Sequence, residues 1–455
     1  MEIALIYAGM NAIGPVPYGL TVLAAILEKE GHKVSILDFD GDPLSCQSFE
    51  KRMSDRRPKM IGITLMTTPM LERAAELLSY ARRLFPTATI VAGGPHATIF
   101  PAEILRELPV DIVAVGEADI TIKEIARTIE LDGNLGSVAG ICFKKDGDVV
   151  NTGPGPMLSR QEMDMLPVPA WHLVDIYKHY YVYIIESYGC PFKCTFCYTH
   201  MHGNYRSKSP SRIVEDIAVL ANKYKVRMFK FWDDLPFGGS KQKMREFCRL
   251  LIDRNLDVKW TCFLRPEGVD DETIDIMVKS GCFRIAMGVE SGSPRMLQLL
   301  NKENTPEKYI EAFRILGKYD IITAVPFMLG LPGESRSDIQ LSIGLAEKIK
   351  ATEYYSSNYK PYPGTKLYQA ALDRGFKPPG NIIEWSRYSD FSNYSRHSSE
   401  LTTEELLQAK KHIENLTDNW KKYRILLKAG WHQFKASPFR EARKFLKIAR
   451  SRVFK

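Results

Sequence analysis

The 455-residue chain is long enough for roughly two to four domains of about 150 residues each, which excludes a single small binding module. With 45% hydrophobic and 25% charged residues, its composition is that of a folded globular protein and excludes a disordered or multi-span membrane protein. The net charge of +8 comes from residues 421–455, where 12 Lys and Arg accompany one acid, while the rest of the chain sums to −3.

Residues 1–135 alternate short apolar strands with amphipathic helices. Glu2 stands where a signal peptide would carry a basic residue, so the first apolar run is interpreted as a strand and the expected location is the cytoplasm. The pattern predicts, in chain order, a strand at 3–7, a helix at 18–30, strands at 33–37 and 60–64, a helix at 70–85, a strand at 89–92, a helix at 99–107, a strand at 112–115 and a helix at 120–129. This alternation predicts a flavodoxin-like or Rossmann-like α/β domain over residues 1–150.

Turns rich in Gly and Thr follow four of these strands. They lie at 9–14, 64–68, 93–96 and 116–117. Because ligands of open α/β sheets bind beyond the carboxyl ends of the strands, four such loops at one edge predict a binding face. Ordinary tight turns are the alternative for each loop taken singly.

A second alternating series follows a small predicted hairpin and an extended linker at 151–182. Its predicted strands lie at 183–187, 227–232, 259–264, 284–288, 321–328 and 353–358, and its helices at 211–223, 241–254, 270–280, 306–318 and 337–350. Six strand–helix units over residues 183–370 predict a partial (β/α)6 barrel whose chemistry lies at the strand ends.

The strongest functional signal is a cysteine triad directly after the first strand of the second series. Cys190, Cys194 and Cys197 are separated by three and then two residues. Three thiolates at this spacing can hold three irons of a four-iron, four-sulfur cluster, whereas a ferredoxin-type site uses four cysteines. The triad therefore predicts a cluster with one open iron, which can coordinate a substrate or cofactor.

Two alternatives remain for the triad. A structural zinc site is one, because His200 and His202 lie just downstream and three Cys with one His is a common zinc ligand set. Three cysteines packed as small hydrophobes are the other. The 8 cysteines of the chain are too few for a disulfide scaffold and indicate a reducing compartment.

The triad resembles that of the radical S-adenosylmethionine (SAM) superfamily, in which an aromatic residue, here Phe196, precedes the third Cys. The resemblance implies a partial barrel, SAM bound through its amino and carboxylate groups to the open iron, and reductive cleavage of SAM to a 5′-deoxyadenosyl radical. It also implies a reducing partner such as flavodoxin or ferredoxin. The residues that match SAM-binding positions are Phe196, Asp233, Asp234, Arg265, Glu290, Ser291 and Leu331.

The resemblance also implies roles for these residues. The two acids suit the SAM ammonium, although this place reads Gly-Gly-Glu elsewhere in the superfamily. The Arg265 guanidinium suits the SAM carboxylate, and Glu290 and Ser291 suit the ribose hydroxyls. Helix caps or ordinary surface turns are the alternative for Asp234, Arg265 and Ser291.

The first domain resembles the cobalamin-binding domain that precedes the radical SAM barrel in one large subfamily. The candidate cobalamin-binding residues are Gly14, Pro15, Gly19, Thr64, Thr67, Gly93, Gly94, His96, Gly116 and Glu117. The Asp-x-His-x-x-Gly signature, by which many cobalamin proteins place an imidazole on cobalt, is missing. The resemblance therefore implies cobalamin bound base-off without a His ligand, and a structural role is the alternative for His96.

Residues 371–455 are predicted to form a helical region with a basic amphipathic tail. Such a helix with aromatic residues suits an anionic membrane surface, so residues 421–455 predict peripheral membrane contact and make a lipid or isoprenoid substrate a hypothesis. Docking of the tail onto the barrel is the alternative. Nucleic-acid binding is disfavoured because the aromatic residues lie on the apolar face.

Together the two resemblances imply an enzyme with a [4Fe–4S] cluster, SAM and cobalamin as cofactors and a small molecule as substrate. The expected reaction is hydrogen abstraction from an unactivated carbon, followed by transfer of a methyl group from methylcobalamin. Cyclisation, ring contraction or another rearrangement without methyl transfer is the alternative within the family. A nonenzymatic iron–sulfur or cobalamin-responsive protein associated with membranes is the alternative from another class.

Overall fold

A computed structural model describes residues 1–9, 14–67, 70–179, 182–198, 203–388 and 398–436. The chain divides into two compact units. The first comprises Met1–Tyr180 with Pro378–Asp390, and the second comprises Tyr181–Lys377 with Phe391–Lys455. Residues 378–390, which the sequence analysis places in the C-terminal region, thus belong to the first unit.

The first unit is built on a seven-stranded sheet with the strand order β2-β1-β3-β4-β5-β6-β7. The strands are β1 (Glu2–Tyr7), β2 (Lys33–Asp38), β3 (Met60–Thr64), β4 (Thr89–Gly93), β5 (Ile112–Ala114), β6 (Ile141–Lys145) and β7 (Asp148–Asn151). The first five are parallel, and β6 and β7 continue the sheet as an antiparallel hairpin. The strand order reverses at β1 and β3, and this reversal is where parallel sheets of this kind bind ligands.

Helices connect the parallel strands, as the sequence pattern predicts. They are α1 (Tyr18–Lys29), α2 (Cys46–Met53), α3 (Met70–Leu84), α4 (Pro95–Ile99), α5 (Pro101–Glu107), α6 (Thr121–Glu130) and α7 (Arg160–Asp164), and α15 (Ile382–Tyr388) belongs to the same unit. Helix α2 was not predicted, because it buries only Phe49 and Met53, too few apolar positions for a visible period in the sequence.

The second unit is built on six parallel strands in the order β15-β14-β13-β12-β11-β8, which confirms the predicted α/β barrel-type fold. Its strands are β8 (Val182–Ile184), β9 (Ser187–Tyr188), β10 (Arg206–Ser207), β11 (Met228–Phe231), β12 (Lys259–Phe263), β13 (Cys282–Ala286), β14 (Ile322–Leu329) and β15 (Glu353–Asn358), with β9 and β10 forming a separate antiparallel pair. Its helices are α8 (Pro210–Asn222), α9 (Lys241–Asp253), α10 (Asp271–Lys279), α11 (Pro294–Leu299), α12 (Pro306–Leu316), α13 (Arg336–Lys348), α14 (Lys366–Leu372), α16 (Thr403–Asn415) and α17 (Asn419–Ala436).

The two faces of this sheet differ in burial. One face carries an aromatic core in which the Phe231 ring packs on Phe247 of α9 and on Trp260, with ring centroids 5.3 and 5.7 Å apart. These three side chains are fully buried. The opposite face of β11 carries Lys230, whose side chain is half-buried. Trp232 follows on the same face and is 47% exposed. Helices therefore cover the aromatic face, and the opposite face is accessible at Trp232.

Helix α17 docks onto the second unit. Ile425 and Ala429 pack against Phe283 and Ile322, at the amino-terminal ends of β13 and β14. In the described part of residues 421–455, this packing agrees with the alternative in which the tail docks onto the barrel. Peripheral membrane contact stays a prediction, and residues 437–455 lie outside the described residues. None of the helices in the described part of the chain is both long enough and apolar enough to cross a membrane.

Candidate functional site

The three cysteines lie on the loop between β9 and β10, beyond the carboxyl end of β8. Cys190, Cys194 and Cys197 are partly exposed and carry free thiols. Gly189 opens the loop with a φ of +75°, and a Cβ there would lie 3.1 Å from the carbonyl oxygen of Gly203. Only glycine adopts this turn without strain, so the residue before the triad sets the direction of the loop.

The middle of the cysteine loop is fixed by the segment that follows α11. The backbone N–H of Thr195 donates a hydrogen bond of 2.9 Å to the carbonyl of Leu300. The side-chain amide of Asn301 donates a hydrogen bond of 3.0 Å to the carbonyl of Lys193. Because these bonds lie on both sides of Cys194, they fix the backbone of the central cysteine.

The start of the loop is fixed by Asp233, which follows β11. Its carboxylate accepts hydrogen bonds from the backbone N–H of Glu186 at 3.0 Å, the backbone N–H of Ser187 at 2.8 Å and the Ser187 hydroxyl at 2.7 Å. Burial raises the pKa of Asp233 to about 6 and raises that of Glu186 well above its ordinary value. Asp233 therefore supports the cysteine loop. Contact of Asp233, and of the exposed Asp234, with SAM stays a prediction.

Arg265, which follows β12, lies against the same loop. Its guanidinium carbon lies 3.6 Å from the centroid of the Phe192 ring, and its Nη1 lies 4.0 Å from Sγ of Cys194. Its Nη2 donates to the carbonyl of Lys302. The guanidinium thus places a permanent positive charge beside the triad, where it can balance thiolates or a bound carboxylate.

Lys302 brings a second positive charge to the triad, and the sequence analysis missed it. Its Nζ lies 2.9 Å from Oε1 of Glu290 and 5.7 Å from the centroid of the Phe196 ring. Burial alone would lower the pKa of Lys302, but the charge of Glu290 raises it above its ordinary value. A single Lys in a polar stretch has no sequence signal, because most such residues are solvated surface groups.

Glu290 is held in a backbone conformation that non-glycine residues rarely adopt. Its φ is +67°, and its carbonyl accepts a hydrogen bond of 2.8 Å from the backbone N–H of Met328 in β14. A Cβ at Gly288 would lie 2.1 Å from Oε1 of Glu290, so this glycine makes room for the carboxylate. Strained residues of this kind persist where surrounding structure over-determines them, often at functional sites.

Two other predicted SAM-binding residues are fully buried. The Ser291 hydroxyl lies 3.1 Å from that of Ser342, and Leu331 has no exposed surface. Next to Leu331, Glu334 accepts backbone N–H bonds from Gly330 and Leu331 through Oε2, and burial raises its pKa to about 8. The binding roles of Ser291 and Leu331 stay predictions.

The donor set of the cysteine loop fits a cluster. Within the described ranges, no three His, Cys, Asp or Glu side chains surround a point that one metal ion could occupy. Each cysteine thiolate of an iron–sulfur cluster binds a different iron, so the thiolates need not surround a single point. Three partly exposed thiols on one anchored loop therefore suit a cluster. His200 and His202, the ligands of the zinc alternative, lie outside the described residues.

The candidate cobalamin residues lie along one edge of the first sheet. Gly14, Pro15, Thr64, Thr67, Gly93, Gly94, His96, Gly116 and Glu117 are at or beyond the carboxyl ends of β1, β3, β4 and β5, and Gly19 is in the first turn of α1. A Cβ at Gly19 or Gly116 would meet nothing within 4 Å, so the backbone there is open to a flat ligand. A Cβ at Gly94 would lie 2.7 Å from Oγ1 of Thr64, so this glycine serves chain packing.

His96 is packed inside the first unit. It is 1% exposed, its Nδ1 lies 3.0 Å from Oγ1 of Thr67, and its ring centroid lies 4.9 Å from that of Phe100. Burial lowers the pKa of His96 to about 4, so the ring is neutral. These contacts agree with the structural alternative for His96, while contact with cobalamin stays a prediction.

A buried charge cluster supports the loop after β1, and the sequence analysis did not identify it. His179 Nε2 lies 2.7 Å from Asp38 Oδ2, and its Nδ1 lies 3.2 Å from the carbonyl oxygen of Gly14 and 3.6 Å from Asp40 Oδ2. Burial alone would lower the pKa of His179, but hydrogen bonds to Asp38 and Asp40 raise it to about 9. A charged imidazole thus fixes the beginning of the predicted cobalamin edge.

Two family models match the chain. Residues 15–126 match the B12 binding domain, and residues 184–346 match the radical SAM superfamily. An uncharacterized methyltransferase of Pyrococcus horikoshii is 29% identical over 388 residues, covering 84% of this chain and 83% of the relative. The anaerobic magnesium-protoporphyrin IX monomethyl ester cyclase of Cereibacter sphaeroides is 28% identical over 390 residues, covering 82% of this chain and 62% of the cyclase.

A solved structure supports the fold. The radical SAM methyltransferase TsrM from Kitasatospora setae, with cobalamin and a [4Fe–4S] cluster bound, superposes with a TM-score of 0.74 at 17% identity, covering 93% of this chain and 90% of that one. The likeness confirms the predicted two-domain α/β fold, and the family models identify the N-terminal B12 binding domain and the C-terminal radical SAM domain. The chain therefore carries a B12 binding domain at residues 15–126 and a radical SAM domain at residues 184–346.

Proposed function

We propose that the chain is a cobalamin-dependent radical SAM enzyme that methylates an unactivated carbon of a small molecule. The observation that carries this proposal is the anchored loop of Cys190, Cys194 and Cys197 at the carboxyl end of a parallel sheet, in a chain that also has a B12-binding domain. The similarity to proteins named as methyltransferases supports methylation. When bound, the cluster with SAM supplies hydrogen abstraction, and cobalamin supplies the methyl group.

The protein's own residues would bind and orient these groups. The three thiolates would hold the cluster, and Arg265 and Lys302 would balance negative charge around it. Glu290, held by Lys302 at 2.9 Å, would present its second oxygen to a hydroxyl donor. In the first unit, the open backbone at Gly19 and Gly116 would lie against the corrin ring.

A second candidate function is ring closure or rearrangement without methyl transfer. The similarity to a relative named as an anaerobic cyclase favours this alternative, although the chain spans only 62% of that relative's length. Both candidates use the same cofactors, so the products derived from SAM separate them.

The test is anaerobic reconstitution of the full chain with iron, sulfide and cobalamin, followed by mass analysis of SAM products after reduction. Deoxyadenosine with S-adenosylhomocysteine is the result expected for methylation, and deoxyadenosine alone would support cyclisation or rearrangement. Cys194→Ser should lose the cluster absorbance and deoxyadenosine. The matched control is Cys248→Ser, a buried cysteine of α9, which should keep both. A colourless, iron-free wild-type protein would overturn the proposal.

We also propose that flavodoxin or ferredoxin reduces the cluster and that the enzyme works in the cytoplasm. Residues 437–455 would be its contact with anionic membranes. Seven basic residues against one acid in 437–455 support the membrane contact. A truncation after Ala436 retains Ile425 and Ala429, which cover the core. Equal pelleting of the full and truncated chains with anionic liposomes would count against the contact and against a lipid substrate.

A further inference from the structure

The face of the second unit's sheet that carries Lys230 presents a row of chemically distinct side chains. In the strand register, Tyr183 of β8 pairs with Lys230 of β11, Lys230 pairs with Thr261 of β12, and Thr261 pairs with Arg284 of β13. Paired residues of parallel strands point to the same face. Trp232, two residues after Lys230, therefore continues this face towards the strand ends where the cysteine loop begins.

Lys230 is surrounded by aromatic rings. Its Nζ lies 4.5 Å from the centroid of the Trp232 ring and 5.7 Å from the centroids of Tyr183 and Phe263. The rings of Tyr183 and Trp232 pack on each other with centroids 4.3 Å apart and an interplanar angle of 34°. Trp232 is nevertheless 47% exposed, so a flat ligand can still reach this pair of rings.

Among the described residues, no carboxylate lies within 4 Å of the Lys230 ammonium, although such a partner would stabilise a half-buried cation. The next cation on the row, Arg284, is paired with Glu353 at 2.9 Å, and Glu353 also binds Lys422 at 2.8 Å. Burial, together with the charge of Arg284, lowers the pKa of Lys230 to about 8. Arg284 and Lys422 share the carboxylate of Glu353, and Lys230 has no carboxylate partner, so these three cations exceed the acids that pair with them.

We propose that Lys230, with the rings of Tyr183 and Trp232, is the anchor for a substrate that carries an oxyanion, a carboxylate or a phosphate ester, on a flat unsaturated body. The inference deepens the proposed function, on which it rests, by naming the substrate class. An oxyanion supplies the counter-charge that Lys230 lacks, and a planar body gains stacking on the two rings at little cost in conformational entropy. The face leads along β11 to Trp232, the residue before Asp233, whose carboxylate supports the start of the cysteine loop, so a substrate anchored at Lys230 would lie near the strand ends that carry this loop.

The experiment is equilibrium dialysis of the full chain at pH 7 against three planar probes: 1-naphthoate, 1-naphthyl phosphate and the uncharged 1-naphthalenemethanol. Wild-type protein should bind at least one anion more tightly than the alcohol. Lys230→Met should weaken anion binding by about tenfold or more and leave the alcohol unchanged, because the methionine removes the charge-assisted hydrogen bond to the anion only. The preferred anion distinguishes a carboxylic acid from a phosphate ester.

Two further variants make the result specific. Lys230→Arg keeps the charge and should restore most of the anion affinity, which a variant that failed to fold would not do. Lys223→Met is the matched control, because it removes an exposed Lys whose Nζ lies 5.4 Å from the Tyr224 ring, and it should bind like the wild type. Equal anion binding by the wild type and Lys230→Met, equal affinity for anion and alcohol, or no anion binding at millimolar concentration would each overturn the proposal.

Failure of this inference and failure of the proposed function can be told apart. Deoxyadenosine formation from SAM by the reconstituted wild-type protein, without any probe, tests only the proposed function. If deoxyadenosine forms and Lys230→Met does not change anion binding, the substrate class is wrong and the enzyme assignment stands. If anion binding depends on Lys230 but SAM is not cleaved, the anchor stands and the reaction assignment fails.

Discussion

The carboxylate of Asp233 lies 2.8 Å from the backbone nitrogen of Ser187, and this hydrogen bond joins the end of β11 to the start of the cysteine loop. Asp233→Asn should therefore lower cluster loading, because the amide loses the charge of the carboxylate and would direct an NH2 donor at the backbone N–H of Glu186, which Oδ2 now accepts at 3.1 Å. Loss of a charge-assisted hydrogen bond costs about 1.5–3 kcal/mol. The expected result is a fall of several-fold in iron bound per chain after anaerobic reconstitution.

The control for this prediction is Asp275→Asn, which removes an exposed ion pair with Lys279 on α10 and should load iron like the wild type. Full loading of Asp233→Asn combined with weaker SAM binding would contradict the support role and favour the SAM contact that the sequence predicts.

Gly19 and Gly94 should respond differently to alanine. A Cβ at Gly19 meets nothing within 4 Å, so Gly19→Ala should fold normally, but its methyl group would stand on the predicted cobalamin surface and weaken binding by about tenfold. Gly94→Ala should lower the melting temperature, because the φ of Gly94 is +93° and its Cβ would lie 2.9 Å from the carbonyl oxygen of Leu65. Cobalamin titration followed by absorbance measures the first effect and thermal unfolding the second.

Gly344→Ala in α13 is the control for both, since the same added methyl group faces open space in the second unit. It should change neither cobalamin affinity nor, beyond a slight gain from helix propensity, the melting temperature. Unchanged cobalamin affinity of Gly19→Ala would remove Gly19 from the site.

The sequence predicts the strands and the cysteine loop well because both signals are local. The first strand, predicted at 3–7, is Glu2–Tyr7, and its apolar run is visible without any knowledge of partners. Lys302 could not be found in this way, since its place beside the ring of Phe196 depends on how β13 and α11 fold back on the loop. The same holds for His179, whose partner Asp38 lies 141 residues away in the chain.

A cobalt site without a histidine ligand has a spectroscopic consequence. Because the Nδ1 of His96 lies 3.0 Å from Oγ1 of Thr67 and its ring is 1% exposed, we expect bound cob(II)alamin to give an electron paramagnetic resonance spectrum without nitrogen splitting from an axial imidazole. His96→Gln should leave that spectrum unchanged. Nitrogen splitting that disappears in His96→Gln would show instead that the ring leaves its pocket to bind cobalt.

His179 should make the first unit less stable as pH rises above neutrality. Its pKa is about 9 in the folded protein and near 6.5 when unfolded, so the folded state holds the proton more tightly. The stabilisation is fully present below about pH 6.5 and is lost as pH rises to about 9, and it amounts to about 3 kcal/mol. The measurement is the urea midpoint of the wild type and of His179→Gln between pH 6 and pH 9.5.

The difference between these two proteins isolates His179 from the other groups that titrate in the same range, such as Lys230 and Glu334, whose pKa values are both about 8. The wild type should exceed His179→Gln in stability at pH 6, and the gap should narrow towards pH 9.5. His412→Gln, which removes an exposed pair with Glu347 on the second unit, should follow the wild type at every pH. A gap of constant size across the range would mean that the imidazole fills space beside Asp38 and Asp40 without using its charge.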